Sequence, residues 1–423
     1  MGNSVDYQVK FGRIAAGTLY GKLDDDSRAF VRERAFDLRF TQQELRQVSL
    51  IARDLQMWER ENIESLWPGP TAIPGQPDKK RLLRALRDQY EGLKNAPNKY
   101  LQGEGRGQSK AKAIPLRVEK EKLGLGFCPV ASPKTRCCNL MTLDVVENCG
   151  FGCSYCSIKS FYDGHQVTFD RDFPKKLATL PIDPDRIYHI GTGQSSDSLM
   201  WGGSGGALDA LIDFAARHPN VILELKTKSA NVGHLLKRRL PRNILFTWSL
   251  NTPLVIANEE HGTATLDERI EAAGKLADKG ALVGFHFHPM IQYAGWEQDY
   301  PAVIEQLQRL FSPDEVALVS LGTLTFTRSV IRQIREQGTR SQILKLPLME
   351  ADGKLSYPDD VKLTMFTRAF ESFPHAWREG VFFYLCMENH RFWKPVFGFE
   401  YQSNDEFETA MKRHYMEKIG TGG

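Results

Sequence analysis

The spacing of apolar and polar residues changes character along the chain. Up to about Leu140 the apolar positions recur at helical intervals, in Asp26–Phe36 and again in Thr41–Trp58, where Thr41 and Glu44 predict a capping box. The Pro- and Gly-rich break WPGPTAIPGQPDKK leads into a basic helix over Arg81–Leu93, and Asn95–Lys112 reads as an exposed linker. From Met141 to Leu321 short β-rich runs alternate with helical ones. The runs MTLDVVE, RIYHIG, VILELKT, NILFTWSL, ALVGFHFHP and EVALVSL predict strands, with helices such as Ala207–Arg217, Leu266–Lys279 and Tyr300–Leu310 between them. Beyond Gly322 the pattern is mostly helical and ends in the aromatic-rich FFYLCMENHRFWKPVFGF.

Strands joined by helical crossovers predict an α/β fold built on a parallel sheet. The expected architecture is a partial (β/α)6-type parallel barrel over residues 141–321, with an N-terminal helical, basic region (1–140) and a C-terminal helical extension (322–423). Chemistry in such folds gathers at the C-terminal ends of the strands.

Composition adds constraints more than identity. The chain has 423 residues, 41% hydrophobic and 25% charged, enough for a substantial core. No stretch approaches the length of a membrane span, and MGNSVDYQVKFGR lacks the apolar core of a signal peptide. Gly2 and Ser4 are a faint echo of a myristoylation signal, but Asp6 stands where that motif needs Ser or Thr. The expectation is a cytoplasmic protein with no membrane partner. A net charge of +3 decides little, yet Lys79, Lys80, Arg81, Arg84 and Arg87 form a basic run. Arg106, Lys110, Lys112, Arg117, Lys120 and Lys122 form a looser one. Such runs are solvated helix faces or phosphate-binding surfaces.

Seven cysteines in such a chain point to metal or radical chemistry ahead of disulfides. Cys149-Gly-Phe-Gly-Cys153-Ser-Tyr-Cys156 follows the first predicted barrel strand. Three thiolates on one short loop can hold three irons of a cubane cluster and leave the fourth open to a cofactor. A zinc site, with His165 as a fourth ligand, is the alternative.

This CxxxCxxC loop, with an aromatic residue before its last cysteine, resembles the radical S-adenosylmethionine superfamily. Later segments are similar to one branch of it, the spore photoproduct lyase family. These are Thr227-Lys228 with Val232-Gly233-His234-Leu235-Leu236, then Ser249-Leu250-Asn251, then Leu266 and Arg269-Ile270-Glu271-Ala272-Ala273. Gly284-Phe285, Pro289, Gly295-Trp296, Tyr300 and Phe326-Thr327 continue the likeness. The resemblance implies a 4Fe–4S cluster on Cys149, Cys153 and Cys156, and reductive cleavage of S-adenosylmethionine to a 5′-deoxyadenosyl radical. It implies cofactor contacts from Ser196, Lys228 and Ser249, accompanied by Tyr155, Asp197 and Asn251. An electron donor such as flavodoxin or ferredoxin, and a nucleic-acid substrate such as damaged DNA, are the implied partners.

One position departs from the family. Where spore photoproduct lyase has a cysteine that returns a hydrogen atom to the substrate radical, this chain has Gln194, and an amide N–H is too strong a bond for that task. Cys386 is another thiol, read chiefly as structural. A radical enzyme acting on a small molecule, peptide or RNA therefore stands beside the DNA reading, and a non-catalytic zinc or iron–sulfur protein is the third possibility. His286 and His288 share one face of their strand and are either substrate-facing or a structural pair. Cys128, Cys137 and Cys138 are weak candidates for an auxiliary cluster, and the run Gly202–Gly206 for an anion cradle or a plain crossover loop. The aromatic tail reads as core more than as base-stacking surface.

Overall fold

A computed structural model describes residues 2–59, 62–69, 79–100, 114–128, 134–158, 162, 166–351 and 353–420. His165, Arg106, Lys110, Lys112 and most of the expected linker lie outside the described residues. The chain forms two compact units, one of residues 1–99 with 325–356, the other of 100–324 with 357–423.

In the first unit the helices Gly2–Ala15, Asp25–Leu38, Gln42–Trp58 and Lys79–Asn95 join the helix Arg328–Gln337 and a small antiparallel sheet. The Thr41–Glu44 capping box forms as the sequence predicts. A buried ion pair explains why residues so distant in the chain fold together. Arg335 grips Asp54 through two hydrogen bonds of 2.7 and 2.8 Å, and Tyr90 donates to the same carboxylate at 2.6 Å. An unpaired buried Asp54 would be costly, so the three elements are held as a set.

The second unit is built on an eight-stranded sheet. Its strands are β1 (Leu125–Phe127), β2 (Met141–Leu143), β3 (Tyr188–Thr192), β4 (Val221–Thr227), β5 (Ile244–Ser249), β6 (Leu282–Met290), β7 (Val316–Thr323) and β8 (Phe382–Leu385). Sheet order follows chain order throughout, and every neighbouring pair is parallel except β1–β2. The sheet curls into the expected half-barrel, with two differences at its edges. The aromatic run FFYL becomes β8, and LGF adds an antiparallel strand at the other edge. Both were hidden in the sequence because they are short and lack a flanking crossover pattern.

Alternation along each strand sends one set of side chains to the concave face. There Glu224 accepts from His189 Nε2 at 2.9 Å, His286 Nε2 at 2.9 Å and Thr247 Oγ1 at 3.0 Å. With Nε2 donating, His286 Nδ1 accepts from the Ser320 hydroxyl at 2.6 Å. Burial pushes the Glu224 carboxyl up, but the two histidine hydrogen bonds outweigh it and hold it well below the carboxylate range. Burial also pushes His286 down to about 4. His286 is therefore neutral and held in a network of Glu224 and Ser320, which supports its structural reading.

The helix Asn404–Gly420 covers the same face. Tyr415 meets the His189 ring edge-on at 5.5 Å, while Phe407 stacks on Phe382 at 6.1 Å. Arg242 donates to the carbonyls of Lys418 and Ile419, and Lys418 donates to Val316 O at 2.7 Å. Most of the aromatic tail is core, with Phe382, Phe383, Tyr384, Phe392 and Trp393 buried, whereas Phe397 is half-buried and Phe399 exposed.

Candidate active site

The cysteine loop begins where the two-residue strand Val146–Glu147 ends. Asn148 adopts a left-handed φ of 66° and accepts the Cys149 N–H on its own side-chain oxygen, while its amide donates to Gln166 O, so the chain turns sharply into the loop. Further on, Gly152 and Cys153 pair antiparallel with His261 and Glu260. A Cβ at Gly152 would sit 3.1 Å from His261 Cβ, so this glycine serves the strand pairing.

Consecutive carboxylates anchor the far end of the loop. Glu259 accepts from the hydroxyls of Ser154 and Tyr100, the latter at 2.9 Å. Glu260 accepts from the hydroxyl of Tyr155, from Lys228 Nζ at 3.2 Å and from Arg269 Nη2 at 2.6 Å. Burial pushes the Glu260 carboxyl up, but the charges of Arg269 and Lys228 bring it down to about 2. Arg269, fully buried, also donates to Ser249 O at 2.8 Å and to Ala264 O at 2.9 Å. The Lys228 ammonium lies 5.7 Å from the centre of the Tyr155 ring. Glu259 and Glu260 were not singled out in the sequence. Two adjacent glutamates in ANEEHG carry no periodic signal, and only the pairing with the cysteine loop gives them a role.

The near side of the loop faces the turn after β3. Gly193 has a φ of +84°, and a Cβ there would lie 2.5 Å from Lys226 O, so only glycine allows the turn to press against β4. Ser195 donates to Asp144 and to Val146 O, tying this turn to the start of the cysteine loop. Asp197 accepts from the N–H groups of Leu199, Met200 and Lys228 and from Thr227 Oγ1 at 2.7 Å. Its oxygens are thus spent on shaping the turn. Asn251 is likewise engaged, donating to Pro289 O and accepting from Tyr300 OH.

Ser196 differs. Its hydroxyl is buried without a hydrogen-bond partner, and so is the indole N–H of Trp201. Both line one cleft with Val146, Phe169, Asp197 and Leu208. Unsatisfied buried donors are costly, and a ligand that accepts from them removes the cost.

The three loop thiols lie within electrostatic reach of one another. Burial pushes Cys149 well above the usual thiol range and Cys153 up to about 12, and in each the neighbouring loop cysteines add to the rise. Among the described residues no three Cys, His, Asp or Glu side chains meet closely enough to hold a single ion. Three soft thiols on one short loop are a donor set that fits a 4Fe–4S cluster. The same finding leaves Cys128, Cys137 and Cys138 without a single-ion site. Cys386 sits at the end of β8, donating its N–H to Leu321 O, with its thiol pushed by burial up to about 12.

Comparison with known proteins places this geometry. The family model described as spore photoproduct lyase matches residues 187–357, a segment that starts after the cysteine loop. The spore photoproduct lyase of Clostridium acetobutylicum is 27% identical over 169 residues, 39% of this chain and 50% of that one. That of Bacillus subtilis is 39% identical over 92 residues, 22% of this chain and 27% of the relative. The chain thus spans half or less of the length of these relatives. Among solved structures, a cysteine-to-serine variant of spore photoproduct lyase aligns with TM-score 0.54 and 21% identity, covering 75% of this chain and 88% of that one. Another variant, with bound AdoMet and dinucleoside spore photoproduct, aligns with TM-score 0.52 and 20% identity over the same shares. Residues 187–357 are thus similar to the spore photoproduct lyase family, and the half-barrel has the fold of the solved spore photoproduct lyases.

Proposed function

We propose that this chain is a radical S-adenosylmethionine enzyme of the spore photoproduct lyase type that acts on a nucleic-acid lesion. Cys149, Cys153 and Cys156 would hold a 4Fe–4S cluster, and Ser196, Lys228 and Ser249 would border its S-adenosylmethionine. When bound, the pair supplies one-electron cleavage of the sulfonium to a 5′-deoxyadenosyl radical, with the electron delivered by a flavodoxin or ferredoxin. The observation that carries the reading is the loop that brings Cys149, Cys153 and Cys156 within electrostatic reach of one another, with the Ser196 hydroxyl left without a partner in the turn beside it.

The chain's own residues do the positioning. Glu259 and Glu260 fix the second half of the loop through Ser154 and Tyr155. Arg269 balances the buried charge of Glu260, and Asp197 holds the turn that presents Ser196. Gln194, in that same turn, offers no thiol, so the last hydrogen atom must come from another donor or the lesion must differ from that of the relatives.

Anaerobic reconstitution with iron and sulfide, reduction and addition of S-adenosylmethionine tests the reading. The expected result is 5′-deoxyadenosine from the wild type, none from Cys153→Ala, and a rise on adding ultraviolet-damaged oligonucleotide. A full, reducible cluster whose electron paramagnetic resonance ignores S-adenosylmethionine would sink it.

A further inference from the structure

The first unit carries a groove that the chemistry above does not use. It lies between the helices Gln42–Trp58 and Lys79–Asn95 and is lined by Gln43, Glu44, Gln47, Lys80, Leu83, Arg84 and Arg87. Its open space of about 460 Å³ far exceeds what one phosphate ion needs. Leu83 is buried and forms the floor, while Lys80, Arg84 and Arg87 are exposed. The one acidic side chain of the groove, Glu44, is held by Lys79 at 2.8 Å and by the Thr41 N–H at 2.7 Å. Its charge is therefore offset by Lys79 within the unit, and the basic row lies at the exposed rim of the groove.

The row has a definite period. Residues 80, 84 and 87 stand on one helix face, and their span of seven residues is about 10.5 Å at the α-helical rise. Three base steps of a duplex rise about 10 Å along its axis. The facing helix contributes Gln43 and Gln47, four residues apart, whose amides can donate to phosphate oxygens or sugar hydroxyls. A point anion would use one cation of such a row, whereas a backbone with regularly spaced charge would use all of them.

We infer that the groove between the helices Gln42–Trp58 and Lys79–Asn95 binds the phosphodiester backbone of nucleic acid. This deepens the proposed function, on which it rests for the choice of nucleic acid as the polyanion. The contact is independent of base sequence, since amides and cations on a helix face meet phosphates before base edges.

Binding of a fluorescent DNA duplex to the full chain, followed by anisotropy across a salt series, tests the inference. Each lost phosphate contact lowers the slope of log affinity against log salt by about 1. The double variant Arg84→Gln/Arg87→Gln should therefore lose about 2 from the slope. Arg332→Gln, an exposed change outside the groove, should leave the slope as it is. Both variants should keep the wild-type circular dichroism and Tm. An unchanged slope in the double variant, with wild-type binding intact, overturns the groove and leaves the proposed function standing. Inorganic phosphate competing as well as unlabelled duplex at equal ionic strength also overturns it, because the site would then be a point-anion site. A wild-type chain that binds no duplex at low salt overturns the groove, and the damaged-oligonucleotide reaction then decides separately whether the enzyme reading fails with it.

Discussion

On one side of the cysteine loop, Ser154 and Tyr155 hand their hydroxyls to Glu259 and Glu260, and Arg269, Lys228 and Tyr100 complete the set. On the other, Ser196 and Trp201 bury polar hydrogens that meet nothing. Under the proposed function the first wall is scaffold and the second receptor. A wall whose charges are all answered within the protein is rigid because of it. A wall with buried donors left over is stable only because the rest of the fold carries the deficit, and it is relieved on binding. Asp197, which lines the receptor cleft, belongs energetically to the scaffold, since its partners are all its own neighbours.

The contrast breaks most visibly at Arg269. Arg269→Ala leaves Glu260 as a buried carboxylate with only Lys228 to oppose it, and loss of one member of a buried pair costs about 3–5 kcal/mol. Urea unfolding should show that loss, and an unchanged midpoint would mean that Glu260 is neutral or hydrated.

Acid sharpens the comparison in the concave face, which is built like the scaffold wall. His286 sits near 4 in the folded chain, while an unfolded histidine titrates near 6.5. The unfolded state therefore binds the proton more readily. Stability is full above about pH 6.5 and declines as pH falls toward 4, by on the order of 3 kcal/mol. Burial holds His288 lower still, at about 3, and it acts in the same direction. Unfolding midpoints followed from pH 7 to pH 4 should fall less steeply in His286→Gln, and parallel curves would remove His286 from this role.

The smallest effect on folding belongs to the receptor wall. Ser196→Ala removes a hydroxyl that bonds to nothing, so stability should stay within about 0.5 kcal/mol of wild type. Affinity of the reconstituted protein for S-adenosylmethionine should weaken about fivefold, the worth of one hydrogen bond of about 1 kcal/mol. A large stability loss with unchanged affinity would reverse the assignment of the two walls.

The strands β2 to β7 and the thiol loop were legible because each is local: a run of β-branched residues, or ligands within eight positions. Arg269 was visible as part of a sequence motif, but its task was not, because its partner Glu260 lies outside any periodic pattern. The grouping of 325–356 with the N-terminal helices was invisible for a related reason. It depends on Arg335 meeting Asp54, a contact across 281 positions that neither residue's neighbourhood announces. Strand β8 was read as part of an aromatic tail, since four residues without a crossover helix resemble any other buried segment.

That the order of strands in the sheet equals their order in the chain has a consequence for how the protein is made. As the polypeptide leaves the ribosome, each new strand from β2 onward finds its neighbour already in place, so the sheet can grow one edge at a time without threading. The concave face stays open during that growth, because Phe407, Met411 and Tyr415, which cover it, follow β8 in the chain. The nascent half-barrel therefore leaves the face carrying His189, Glu224 and Phe382 uncovered until synthesis passes the helix Asn404–Gly420.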